Sequence, residues 1–119
     1  MLDLAHKKLD VWRKSVELVS GVYSLTDGFP KEETFGLVSQ MRRASVSVAS
    51  NIAEGASRPT QADRRRFYVI ARSSVVEVDT QKEICRNLNY LNNENSTEVA
   101  RLLNDVFAML SGLIGKSDK

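Results

Sequence analysis

Apolar residues recur at spacings of three and four along four stretches of this chain, and no stretch keeps the two-residue alternation of a half-buried strand. The first helix is predicted over about residues 8–25, with Trp12, Val16, Val19 and Tyr23 on one face. Thr26-Asp-Gly-Phe-Pro30 should end it, because Gly28 can turn left-handed and Pro30 cannot continue a helix. The second is predicted over about 32–55. Its stripe is Leu37, Met41, Ala44, Val48 and Ile52, with Glu32 and Glu33 suiting the positive N-terminal end and Gly55 closing it. Thr60 is a good N-cap for the third helix, and Asp63 three residues later completes a capping-box-like pair. This helix, about 61–91, carries Phe67, Ile70, Ser74, Val78, Gln81, Ile84, Cys85, Leu88 and Leu91 as its stripe. Asn92–Asn95 reads as a turn, with Asn95 and Glu98 a second cap pair. The fourth helix, about 96–114, carries Val99, Leu102, Leu103, Val106, Leu110 and Leu113 and should fray at Gly115. Short connections between long helices favour antiparallel neighbours, so the expected fold class is all-α, an antiparallel up-down-up-down four-helix bundle formed by 1–119 as a single domain.

Two helices have apolar residues outside those stripes. On the second, Phe35, Val46, Ala49 and Ala53 lie on the side opposite the main stripe. On the third, Tyr68, Val69, Val75 and Val76 lie away from it. A monomeric bundle needs one buried stripe per helix, so the surplus predicts a homo-oligomer whose interface uses Val46, Ala49, Ala53, Val69 and Val76. The alternative is a wide core arc with scattered surface valines.

Beside the second stripe runs a polar seam of Gln40, Arg43, Ser47, Asn51 and Glu54. By helical angle Glu77 falls within the third stripe. An unpaired buried carboxylate is costly, so Glu77 is expected to pair with Arg43 or Asn51 in a structural clamp that sets helix register. A general acid or base is the competing reading, but no histidine, metal set or nucleophile accompanies it. Glu54 opposes the helix dipole at the end of the second helix; either an arginine from the third helix or a neighbouring chain compensates it, or it is an exposed, indifferent glutamate.

Composition narrows the function classes. No apolar run approaches the roughly 20 residues that cross a bilayer, and the N-terminus lacks the apolar core of a signal peptide, so a cytoplasmic location without membrane contact is expected. One cysteine, Cys85, forms no internal disulfide and falls in a stripe, where packing is its expected role. The single histidine, His6, precedes the first helix, which argues against histidine phosphotransfer and di-iron chemistry on a bundle. No metal, cofactor or catalytic set is expected, hence no enzyme.

The net charge of +2 conceals an uneven distribution. From Arg42 to Arg72, seven arginines against Glu54 and Asp63 leave +5, while ten basic and thirteen acidic residues elsewhere leave −3. Arg58 and Arg64, Arg65 and Arg66 surround the start of the third helix, and Arg72 shares a face with Arg65. Forked guanidinium donors suit phosphate, so these five are the candidate nucleic-acid contacts. With no aromatic ladder and no DNA- or RNA-reading signature, such binding should be weakly sequence-specific. The alternative is that the arginines are solvated, or serve subunit packing in a purely protein–protein scaffold.

Leu9-Asp-Val-Trp12, Tyr23, Phe29-Pro-Lys-Glu-Glu33, Leu37, the Gln40–Gly55 block, Arg58, Phe67, Ile70-Ala-Arg-Ser-Ser74 and Glu77 together resemble a known family. It is that of the bacterial four-helix-bundle proteins encoded by intervening sequences in 23S ribosomal RNA genes. The family pattern in the central block is close to Q-x-R-R-A-x-x-S-I-x-x-N-I-A-E-G. Here Val48 replaces isoleucine, Ala49 a frequent proline, and Ser73 a usual glycine. Arg42, Arg43, Asn51, Glu54, Arg72 and Glu77 match family positions. The resemblance implies homopentamers of four-helix subunits and no catalysis. A related branch, the accessory variability proteins of diversity-generating retroelements, binds a reverse transcriptase and nucleic acid. That likeness implies RNA binding or an adapter role for a nucleic-acid enzyme, although the near-neutral charge of this chain fits the intervening-sequence group better.

Overall fold

The computed structural model describes Leu4, residues 9–91 and residues 93–117, with backbone alone at 93–95 and 117. Among the described residues there are four α-helices and no strand: α1 (Asp10–Thr26), α2 (Ser39–Ala56), α3 (Gln61–Asn87) and α4 (Asn93–Ser117). None is long and apolar enough to cross a membrane. They pack in cyclic order, α1 on α2, α2 on α3, α3 on α4 and α4 on α1, around one aliphatic core. Met41 of α2 meets Cys85 of α3 at 3.5 Å, and Ser47 meets Ser74 at 2.9 Å. Between α1 and α4, Lys14 reaches Asp105 at 2.9 Å.

The second helix starts later than its pattern suggests. Lys31–Glu33 forms a 3-10 turn and Thr34–Val38 a widened turn, because Gly36 (φ −108°, ψ −112°) leaves helical geometry and interrupts the hydrogen-bond ladder. Phe35, on that turn, is 95% exposed. The segment is held down from the connection after α3: the Tyr90 hydroxyl donates to Glu33 at 3.0 Å, and its ring lies 5.3 Å from that of Phe29.

α3 begins at its expected cap. The Thr60 hydroxyl accepts the Asp63 N–H at 3.2 Å, satisfying a backbone donor that the first turn leaves unpaired. It ends four residues short of Leu91. Asn89 takes the left-handed conformation (φ 62°), while the N–H groups of Asn89 and Tyr90 return to the carbonyls of Arg86 and Cys85 at 3.0 Å each. This doubly bonded stop satisfies two terminal carbonyls, and asparagine tolerates its geometry better than most residues. The second cap pair, Asn95 with Glu98, involves a side chain outside those described, as does His6.

Two stripes are rotated from their expected positions. The core face of α1 is Val11, Ser15, Leu18, Val22 and Leu25, leaving Val16 and Tyr23 exposed. The core face of α3 is Tyr68, Ala71, Ser74, Val75, Val78, Gln81, Lys82 and Cys85, leaving Ile70, Ile84 and Leu88 exposed. Tyr68 and Val75 are therefore core residues, not surplus surface. Ala71 and Ser74 give this arc a small-residue centre that admits close approach of α2. Lys82 packs its hydrocarbon stem within the same arc.

Candidate nucleic-acid interface

The arginine cluster is positioned by a close contact between the end of α2 and the start of α3. Gly55 is buried there beneath Tyr68 and Phe67. Burial raises the Tyr68 phenol above its usual pKa, opposed by the charge of Arg64. The chain leaves α2 through Arg58, whose N–H bonds the Gly55 carbonyl at 3.1 Å, and turns at Pro59 into the Thr60 cap.

Arg58 donates to the Glu54 carboxylate at 3.1 Å, and its guanidinium lies 4.7 Å from the centre of the Phe67 ring. Arg66 lies at the same distance from that ring and 3.7 Å from Asp63. Two guanidinium groups thus gather on one aromatic ring, an arrangement stabilised by the ring quadrupole. Arg64 turns back to donate to the Arg58 carbonyl at 2.8 Å, pinning the connection. Arg65 is half-buried. Arg72 crosses to α4, donating to Ser111 at 3.1 Å with the Phe107 ring at 5.7 Å. Consecutive positions on α3 point the arginines in different directions, so they wrap the end of the bundle and do not form one plane.

Lys116 joins this end, sharing a hollow with Leu9, Asp10 and Val11 at the start of α1. At the other end lie Asp27, Glu32, Glu33 and Glu83, together with the bases Lys31, Arg42, Arg43, Lys82 and Arg86.

The clamp expected at Glu77 is not formed among the described residues. Glu77 is exposed and accepts a hydrogen bond from Gln81 at 3.2 Å. Arg43 is exposed and bonds no described residue. Asn51 instead donates to the carbonyl of Ser47 at 2.8 Å and to its hydroxyl at 3.0 Å, and that hydroxyl shares a hydrogen bond with Ser74. The rotation of α3 explains the exchange: it carries Glu77 into water, where no compensation is needed, and brings Ser74 to the seam. Sequence reasoning named Ser47 and Ser74 as seam and stripe residues but did not pair them. Glu54 is compensated by Arg58 from the connection, not by α3.

Of the expected interface residues, Val46 is exposed and Ala49 and Ala53 are half-buried on α2. Val69 packs against the core, while Val76 is exposed beside Phe107, Asp79 and Asn104 in a hollow of about 160 Å³. No hollow described here gathers Glu54 or Glu77 with other acid–base groups. Among the described residues no three or more His, Cys, Asp or Glu side chains could hold a metal ion. Cys85 is buried, donates to the Met41 sulfur, and has its thiol pushed up to about 11, chiefly by burial.

The model of the family described as 23S rRNA-intervening sequence protein matches residues 7–112. The chain belongs to that family. The matched span takes in all of α1, α2 and α3, most of α4 and the arginine connection, so the likeness covers fold and candidate site together. Among solved structures, a protein of unknown function from the S23 ribosomal protein family of Bacteroides thetaiotaomicron superposes with a TM-score of 0.80. It is 22% identical, with 88% of this chain and 95% of that chain covered, a likeness that shows the fold. No curated protein matches this chain. The 23S rRNA-intervening sequence protein family brings no established reaction with it, and the arrangement of side chains must carry the functional reading.

Proposed function

We propose that this protein is a non-enzymatic, self-assembling helical bundle that binds RNA or other nucleic acid with low sequence specificity through its arginine end. It would act there alone or as accessory to a nucleic-acid enzyme in the cytoplasm. The observation that supports this reading is the gathering of Arg58, Arg64, Arg65 and Arg66 around one end of the bundle, with Arg58 and Arg66 drawn onto Phe67 and Arg72 further along α3. Guanidinium forks held in place lose little further freedom on meeting a phosphate. Phosphate contacts position a protein on nucleic acid without reading its bases. An antiparallel up-down-up-down order is supported by the pairs Met41–Cys85 and Ser47–Ser74, which advance along α2 and retreat along α3. Self-assembly, as a pentamer by resemblance to the family, is supported by exposed Tyr23, Phe35, Val46 and Ile84.

Fluorescence anisotropy with labelled RNA of several unrelated sequences tests the reading. Similar affinities for all of them, lowered about tenfold or more by Arg65→Ala with Arg66→Ala, are expected. Absence of binding by the folded protein would contradict it. A second reading, a protein–protein scaffold without nucleic-acid contact, is favoured by the engagement of Arg58 with Glu54 and of Arg64 with the Arg58 carbonyl.

A further inference from the structure

The groove between α3 and α4 carries a second set of polar groups, next to the arginine end. Along it come Arg72 with Ser111, then Val76 with Phe107, then Asp79 with Asn104, advancing along α3 and retreating along α4. Arg65, Arg72 and Asp79 are seven residues apart and therefore in line on α3. Seven residues rise about 10 Å, so the line takes two such steps. It begins with cations and finishes on a carboxylate.

Past Arg72 the groove opens into the hollow of about 160 Å³. Buried Val75 and Leu103 form its base, and exposed Val76 and Phe107 its apolar sides. A ring with a free edge and face in such a place suits a flat, unstacked ring, and single-stranded bases are held on aromatic side chains in this way.

The polar groups of the hollow are uncommitted. Asp79 is exposed and makes no hydrogen bond or ion pair among the described residues. A carboxylate only accepts. Asn104 gives one amide N–H to the Ala100 carbonyl at 3.1 Å and keeps the other N–H and its oxygen. Arg72 is held a turn away by Ser111 at 3.1 Å, with the Phe107 ring at 5.7 Å. The Ser111 hydroxyl accepts that bond and still has its own hydrogen to donate.

We propose that this hollow is a subsite for one unpaired guanine of the bound RNA strand. The base lies against Phe107 and Val76, its N1–H and N2 amino groups donate to Asp79, its O6 accepts from Asn104, and its phosphate meets Arg72 and Ser111. The proposal rests on the nucleic-acid reading above and names the base that accompanies the phosphates. The donor pattern selects guanine. Of the four bases it alone sets two donor groups side by side on its pairing edge. Adenine and cytosine set an amino group beside a ring acceptor, and uracil sets one N–H between two carbonyls. Each of those places a lone pair against the Asp79 carboxylate, which leaves acceptors facing each other without a proton between them. Specificity over natural sequences stays low, because any strand with one unpaired guanine satisfies the subsite.

Fluorescence anisotropy with oligouridylate strands alike except at one central residue tests this. Guanosine there should tighten binding about tenfold over uridine. Inosine, which lacks the N2 amino group, should fall between them. Asp79→Asn should bring the guanosine-to-uridine ratio near to one, with the uridine strand bound at least as tightly as before and circular dichroism unchanged. Equal binding of the guanosine, adenosine and uridine strands by the wild-type protein, or a guanosine preference that survives Asp79→Asn, overturns the subsite and leaves the phosphate reading standing. Binding of no strand would end that reading and the subsite with it. Guanosine monophosphate that displaces the guanosine strand at the strand's own dissociation constant would assign the groove to a free nucleotide and overturn its place on RNA.

Discussion

A Cβ atom added to Gly55 would stand 2.8 Å from Cε1 of Tyr68, closer than real Cβ contacts come. Phe67 would crowd it from the side at 3.1 Å. The buried Tyr68 ring has little room to retreat, since it belongs to the core. Gly55→Ala gains up to about 1 kcal/mol of helix propensity but forces apart the contact that positions the arginine end. A net destabilisation of about 1–2 kcal/mol is expected from overpacking, read as a lower midpoint in urea denaturation. An unchanged or raised midpoint would show that α2 and α3 are not held together at this point.

The seam between the same helices is tied by hydroxyl and amide groups. Ser74→Ala removes the partner of Ser47 but leaves the Asn51–Ser47 bonds, so a loss of about 1 kcal/mol is expected. Glu77→Gln should change stability by less than about 0.5 kcal/mol, as for other surface replacements. Equal, large losses for both variants in denaturation of dilute protein would restore a buried role for Glu77.

Removal of the α3 cap has a separate signature. Thr60→Ala leaves the Asp63 N–H without its side-chain acceptor and should cost about 1 kcal/mol. Hydrogen exchange should quicken first at the beginning of α3, beside Arg64–Arg66. Uniform acceleration along the helix would argue against a local cap.

Acid should loosen the α1–α4 contact. The hydrogen bond from Lys14 holds the Asp105 carboxyl below its ordinary value, with burial opposing and the charges of Lys14 and Arg101 assisting. A depressed folded-state pKa contributes stability that is fully present above the unfolded value, near 4, and is lost as pH falls through the folded one. Thermal midpoints measured from pH 7 to pH 2 should therefore drop on the acid side of about pH 4. Asp105→Asn should flatten that limb, and an identical acid limb in the variant would contradict the assignment.

Much of this molecule was legible in its sequence, but unevenly. The stripes of α2 and α4 read almost as built, because Met41, Ala44, Val48 and Ile52, and Leu102, Val106 and Leu110, stand out against polar neighbours. α1 and α3 carry apolar residues on more than one face, so three-and-four spacing admits two registers for each. Periodicity cannot choose between Phe67 with Ile70 and Tyr68 with Val75; packing against Gly55, Met41 and Ser47 can. The misplaced register of α3 is what put Glu77 inside and generated a clamp that does not form. The arginines were visible as a charge bias. Their engagement with Phe67, Glu54, Ser111 and the Arg58 carbonyl was not, because it depends on how the connection folds back.

If the arginine end holds phosphate, the salt dependence of RNA binding shows it directly. Each phosphate contact releases condensed counterions, so log affinity should fall linearly with log salt concentration, by about 0.7 per contact on single strands. The wild-type protein should show a steep slope and the folded Arg65→Ala, Arg66→Ala variant a shallower one. Affinity insensitive to salt, or a slope unchanged by that variant, would contradict it.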